Sequence, residues 1–274
     1  MNIVLLDRAD WVAEGVVRLQ DRRAEHISIV LKARVGDSLR VGELGGLRGQ
    51  GVIEAMDHEG VRMRVTLSAP PPPRHRFDIV LALPRPKTLR RLLRQCAEFG
   101  IADLHLIHSA RVEKSYWQSP LLQPTQLQES LLAGLERSRD TVAPRIHLHR
   151  RFRPFVEDQL PLLCAKRPCW LADWEAPMAL ADAMPQPAVV MIGPEGGFVP
   201  YEIERAESVG ARRVGLGSRC LSVDTALVSV LAHGFRRWIR WAVRGATRGW
   251  AADLYTEPCP ASRCPCCWCC SVLA

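Results

Sequence analysis

No apolar stretch in this chain approaches the ~18 residues that a membrane-spanning helix needs, so no membrane association is expected. Asp7, Arg8, Asp10 and Glu14 interrupt the first turns. That leaves no signal-peptide core and makes the cytoplasm the expected location. There is no Gly-Lys-Ser/Thr for a Walker loop, no Gly-x-Ser-x-Gly elbow and no His-Glu-x-x-His. Hydrolase readings lose most of their support with those motifs. Cysteine is plentiful only at one end: of ten, Cys259, Cys264, Cys266, Cys267, Cys269 and Cys270 crowd the last sixteen residues. Cys96, Cys164, Cys169 and Cys220 are scattered, which is not the pattern of a disulfide-stapled secreted fold. His105/His108 and His147/His149 lack thiolate or carboxylate companions at ligand spacing, so no metal site is read.

What is present points to globular domains. The 274 residues, 47% hydrophobic and 24% charged, suit two modest domains with a real core. Thirty-seven Lys and Arg against 29 Asp and Glu give +8, and after residue 244 the charges balance. The basic excess therefore lies in residues 1–244. It favours a polyanion partner, nucleic acid first, with a basic enzyme lacking such a partner as the alternative.

Pro70-Pro71-Pro72-Pro73 is the clearest boundary, because prolines neither donate to a ladder nor continue a helix. Residues 1–69 read as a small β-barrel-like module, with alternation at Asp37–Gly42 and Val61–Leu67 and one helix over Ala24–Ala33. Residues 70–76 read as a stiff spacer. Beyond it, strands at Phe77–Leu83, Leu104–Ile107, Arg145–Leu148, Ala188–Ile192 and Arg213–Leu216 alternate with helices. Those helices are read at Leu89–Phe99, Leu121–Arg139, Pro200–Val209 and Asp224–Trp241. Repeated β-α-β over 77–244 predicts an α/β domain with a parallel sheet covered by helices. Residues 245–274 have no hydrophobic period and read as a disordered extension. Their crowded thiols lack the separated ligand pairs of structural zinc sites.

Three constellations could carry chemistry. Ile192-Gly193-Pro194-Glu195-Gly196-Gly197-Phe198 follows a strand, and its glycines allow either close approach of backbone N–H groups to a ligand or a plain strand-to-helix turn. Leu216-Gly217-Ser218-Arg219-Cys220-Leu221 also follows a strand, and Asp224 or Thr225 could simply cap the next helix. If the two strands are neighbours, the loops share one pocket. The third is basic. Arg85, Lys87, Arg90, Arg91 and Arg94 open a helix, as phosphate contacts or as a solvated face. Arg111 and Lys114 come with Tyr116 and Trp117, a mixture suited to phosphates and unstacked bases.

Gly193-Pro194-Glu195-Gly196-Gly197-Phe198 followed by Leu216-Gly217-x-Arg219-x-Leu221-x-x-Asp224-Thr225-Ala226 resembles the paired motifs of the bacterial 16S ribosomal RNA uridine-N3 methyltransferase family, in the SPOUT superfamily of knotted methyltransferases. Val35-Gly36-Asp37, Ala97–Ile101 and Arg111–Trp117 extend the resemblance over about residues 1–240. It implies an N-terminal PUA-like β-barrel for RNA, a SPOUT α/β domain with a C-terminal trefoil knot, and a homodimer. The implied cofactor, S-adenosyl-L-methionine, would lie against Ile192, Gly193, Gly196, Gly197, Leu216, Gly217, Leu221, Thr225 and Ala226. The implied substrate is ribosomal RNA or the small ribosomal subunit, gripped by Arg85, Lys87, Arg90, Arg111 and Lys114, with Tyr116 or Trp117 as a stacking face. For that chemistry Arg219 would stabilise the uridine anion, and Asp224 or Glu195 could accept the proton or instead serve as a cap. Rival readings are a non-catalytic RNA-binding or ribosome-assembly protein of the same fold, and methylation of another nucleotide position. The chain departs from the family pattern at Ser218, Ser222 and Asp224, and at Arg139-Asp140, where the pattern has Gly-Arg.

Overall fold

The computed structural model describes residues 2–183 and 187–246, with side chains to residue 234. Among the described residues, those up to Phe235 form one compact unit and those from Arg236 a second. The expectation for residues 245–274 thus falls almost wholly outside the described residues.

The first unit holds two six-stranded sheets. The N-terminal one comprises β1 (Val4–Leu6), β2 (Trp11–Ala13), β3 (Val16–Leu19), β4 (Ser38–Glu43), β5 (Arg48–Asp57) and β6 (Gly60–Ala69). Its order β1-β4-β5-β6-β3-β2 makes a curled half-barrel with β1 and β2 at the edges. Val41, Ile53, Val61, Met63 and Val65 fill its concave side, as the alternation requires. The helix expected over Ala24–Ala33 instead begins at α1 (Arg22–Glu25), capped by Asp21, and widens into a π turn at His26–Val30. Leu31 N donates to His26 O at 2.9 Å, and Lys32 then ends the run at φ 51°.

The second sheet comprises β7 (Phe77–Ala82), β8 (Asp103–Ile107), β9 (Arg145–His149), β10 (Cys169–Ala172), β11 (Ala188–Ile192) and β12 (Ala211–Val214). All its pairings are parallel, in the order β12-β10-β11-β7-β8-β9. β7 and β11 are buried throughout, which explains their unbroken apolar runs. Asp78 is tolerated inside β7 because Arg167 lies 2.5 Å from its carboxylate.

Helix α2 (Pro86–Glu98) buries Leu89, Leu92, Leu93, Cys96 and Ala97, the i, i+3, i+4, i+7, i+8 stripe of an amphipathic helix. Each of the three leucines contributes roughly 1.5–3 kcal/mol by leaving water. The helix expected from Leu121 is split. Pro124 forces Gln123 into an extended conformation (ψ 140°), separating a 3-10 turn at Pro120–Leu122 from α3 (Pro124–Ser138). Helix α3 ends on Arg139 at φ 58°, a left-handed cap that costs a side chain about 1–2 kcal/mol. Between β9 and β10 the chain forms α4 (Phe152–Pro154), a π turn (Phe155–Gln159) and α5 (Leu160–Leu163). Helices α6 (Pro200–Ser208) and α7 (Val223–Ala246) complete the element order.

Helices α2 and α3 touch at Gly134. A Cβ there would sit 2.4 Å from Arg94 O and 2.7 Å from the Ala97 Cβ. Gly134→Val is therefore expected to pry the helices apart and lower stability by on the order of 2–3 kcal/mol, read as a shifted urea midpoint at unchanged m-value.

The two sheets are fastened together. Asn2 N donates to Glu136 O at 2.8 Å, Arg22 pairs with the Glu136 carboxylate at 2.6 Å, and the Thr141 hydroxyl donates to Gly46 O at 2.7 Å. Ile3 and Leu5 enter the core of the second sheet. The proline segment is pinned as well: Arg48 Nε donates to Pro70 O at 2.9 Å, and Arg74 bonds Pro72 O and the Asp140 carboxylate.

Candidate active site

The two glycine-bearing loops open at the carboxyl ends of β11 and β12. Those strands are not neighbours; both flank β10, and their loops meet across it. Open parallel sheets bind ligands at this edge. A cleft of about 690 Å³ lies there, within the range of about 300–1,000 Å³ typical of small-ligand sites.

Ile192, Gly193, Glu195, Gly196 and Gly197 from the first loop line the cleft, with Leu216, Gly217, Arg219, Leu221 and Ala226 from the second. The glycines keep both loops tight. A Cβ on Gly193 would come within 3.1 Å of Phe198 N, and one on Gly196 within 3.0 Å of Arg111 Cδ. Gly197 (φ 72°) and Gly217 (φ 131°) occupy backbone regions that L side chains avoid. Arg111 lines the cleft too, its guanidinium donating to Gly196 O. One of the cations read as an RNA contact thus belongs to the cleft rim.

Two residues of the second motif lie elsewhere. Asp224 is outside the cleft lining: its carboxylate is 2.7 Å from Arg91 Nη2 of α2 and accepts from Ser222 Oγ at 2.6 Å. The Ser222 hydroxyl, with Arg91 beside it, holds the Asp224 carboxyl below its usual range. Engaged by Ser222 and Arg91 and outside the cleft lining, Asp224 stands away from the place where a base would act. Thr225 is exposed, its hydroxyl 2.9 Å from that of Ser222. Glu195, exposed at the lip, is the remaining candidate acceptor of the two.

Of the basic residues, Arg85, Lys87, Arg90 and Lys114 are exposed. Tyr116 is half-buried and its hydroxyl donates to Glu113 at 3.1 Å. Trp117 is not an open stacking face. It is only 8% exposed, with Nε1 donating to His108 Nδ1 at 3.0 Å. A ring fixed that way cannot turn out to meet a base.

The sequence did not disclose the third wall of the cleft. Asp173, Trp174 and Glu175 follow β10, a four-residue apolar run too short to read as a strand. Arg213 anchors this wall through the Asp173 carboxylate at 2.6 Å and Glu175 O at 3.1 Å. The segment then runs beside β12's exit, with Gly215 N donating to Met178 O at 2.7 Å. The run Cys169–Ala172, bounded by Pro168 and Asp173, is the only local signal of this wall.

Glu202 lies in the first turn of α6. In the structure it is 3% exposed and accepts from Ala110 N at 2.8 Å and Val199 N at 3.1 Å, with Ser109 Oγ at 3.4 Å. It staples the loop after β8 to the glycine loop. Glu202→Ala leaves two amides without an acceptor, at about 1–3 kcal/mol each. The expected result is a lower melting temperature together with weaker cofactor binding by calorimetry.

An open α/β sheet with a glycine-walled cleft at its carboxyl edge and cations on the rim defines a nucleotide- or nucleoside-handling enzyme. The comparisons make this specific: residues 70–233 match the RNA methyltransferase domain, and the chain belongs to that family. It is 29% identical over 251 residues to ribosomal RNA small subunit methyltransferase E of Treponema pallidum, covering 87% of this chain and 94% of that protein. With the enzyme of the same name from Synechocystis it shares 26% over 238 residues, 82% of this chain and 74% of the other. The fold matches the crystal structure of a ribosomal RNA small subunit methyltransferase E from Neisseria gonorrhoeae bound to S-adenosyl methionine. That match has a TM-score of 0.68 at 18% identity, covering 85% of this chain and 95% of that one.

Proposed function

We propose that this chain transfers a methyl group from S-adenosyl-L-methionine to N3 of a uridine in small-subunit ribosomal RNA. The observation that carries the reading is the meeting of the Gly193 and Gly217 loops across β10 around one cleft with Arg111 and Arg219 on its rim. The cleft's volume, its glycine cradle and the apolar side chains of Ile192, Leu216, Leu221 and Ala226 fit a nucleoside cofactor.

The bound cofactor supplies an electrophilic methyl on its sulfonium, so the protein's work is orientation and preparation of the nucleophile. Uridine N3 must lose its proton, and the charge left spreads onto the flanking carbonyl oxygens. Arg219 supplies a guanidinium on the rim for that charge. Glu195 is the carboxylate on the same rim able to take the proton, directly or through water. The base reaches this depth only unstacked, with exposed Arg85, Lys87, Arg90 and Lys114 receiving flanking phosphates.

The reading includes a PUA-like RNA-gripping role for the half-barrel and a trefoil knot where residues 211–226 pass the 172–183 segment. It also makes the enzyme a cytoplasmic homodimer, which light scattering would report as twice the 30.7 kDa chain mass. The deciding experiment is mass spectrometry of digested small-subunit ribosomal RNA from cells with and without the gene. Loss of 3-methyluridine with the gene supports the proposal. Loss of a different methylated nucleoside moves the acceptor, and no change together with no cofactor binding by calorimetry favours a non-catalytic RNA-binding role.

A further inference from the structure

β9 and the stretch after it are rich in arginine, and their cations are held in different ways. Arg145 is neutralised by Asp103 at 2.6 Å and Arg153 by Glu157 at 2.6 Å. Arg150 is exposed and, among the described residues, pairs with no carboxylate. Its guanidinium carbon instead sits 5.3 Å from the ring centroid of Trp117. That ring is buried and fixed at its nitrogen by His108, and His108 N donates to His149 O at 3.0 Å. The indole is thus a rigid pedestal. It orients a guanidinium through its π face without cancelling the charge.

We propose that Arg150, seated on Trp117, is a fixed phosphate contact for the RNA strand that enters the cleft. The inference rests on the RNA-methylating reading above and adds a contact surface to it. Arg150 directly follows the carboxyl end of β9, on the same edge of the sheet as the cleft. Three strand spacings of about 4.8 Å separate β9 from β11, so the contact falls roughly 14 Å from the Gly193 loop and meets a flanking nucleotide, not the target base. Trp117 shares its loop with Arg111, which reaches Gly196 at the rim. One segment therefore sets two cations along the path, one at the reacting nucleotide and one beyond it. A guanidinium suits a phosphate there because its planar fork donates two parallel hydrogen bonds. Trp117 touches no RNA in this scheme; it is a positioning residue.

The test uses the full chain and an in vitro transcript of small-subunit ribosomal RNA, with binding measured between about 50 and 200 mM salt. Arg150→Ala is expected to weaken binding about 5-fold at the upper salt and to reduce the slope of log K against log salt by about 0.7–0.9, one phosphate's worth. Cofactor affinity by calorimetry should hold. Trp117→Phe keeps an aromatic face and should bind like wild type, whereas Trp117→Leu should lose affinity several-fold with the slope nearly retained. If Trp117→Leu does not fold, Arg150→Ala and Trp117→Phe decide alone. An unchanged slope and affinity in Arg150→Ala, while wild type binds and methylates the transcript, overturns the phosphate contact and leaves the enzyme reading standing. Trp117→Leu equal to wild type overturns the pedestal. A wild-type chain that neither binds nor methylates the transcript overturns both proposals.

Discussion

Arg219→Ala is expected to slow methyl transfer by about 10²–10³-fold, the loss typical when a preorganised charge stabiliser is removed. Arg219 is exposed on the cleft rim in the loop that begins at Gly217, whose φ of 131° lets the chain turn tightly away from β12. Among the described residues it has no carboxylate partner, so its charge is available to a developing anion. The same variant should bind S-adenosyl-L-methionine with little change, because the cradle is made by the glycines and apolar walls. Arg219→Lys should recover part of the rate, since an ammonium restores charge but not the fork. Single-turnover transfer with saturating RNA separates these cases. A loss below about 10-fold would shift the task of stabilising the anion to Arg111 or to backbone N–H groups.

The second large effect concerns acid. His105 is 5% exposed, its ring stacked on His147 with centroids 4.4 Å apart, and its Nδ1 is 3.1 Å from His149 Nε2. Burial first, then the neighbouring His147 and His149, push its pKa down to about 4; Asp103 opposes this and Arg167 adds to it. Burial lowers His149 as well. The unfolded chain takes up these protons near pH 6.5, before the folded one does, so stability is complete above that pH and drains away as pH falls toward 4. For His105 alone the loss between pH 7 and pH 5 is about 2 kcal/mol. Urea titrations at the two pH values measure it. His105→Leu should flatten the dependence at a modest cost at pH 7, since it gives up the Nδ1 contact with His149 while the buried Nε2 has no hydrogen-bond partner among the described residues. An acid loss of the same size in the variant would assign the effect to other groups.

Much of the frame was legible because it is written locally. β7 and β11 announce themselves as unbroken apolar runs, α2 by its stripe, and the two motif loops by their glycines. What was illegible depended on distant partners. Trp117 looked like a stacking face until His108 and Arg150 were seen to enclose it. Asp224 looked like a candidate base, but α2 brings Arg91 to it. The wall at Asp173–Glu175 was missed because β10 has only four residues, and the helical stretch before it is broken by a π turn and by Pro154 and Pro161. Arg111 was recognised as a cation but not as a cleft residue, since only the fold brings it to Gly196.

The fastening of the two sheets through Asn2, Arg22 and Thr141 has a consequence for target choice. Held by these contacts, the half-barrel and the cleft stand as the two jaws of a caliper. On the proposed RNA-gripping role of the half-barrel, an RNA anchored on the first jaw would offer the second only the nucleotide lying at one set span along its contour. Selection then works by length as much as by base identity, and a single inserted nucleotide between anchor and target would shift the mark to a neighbour.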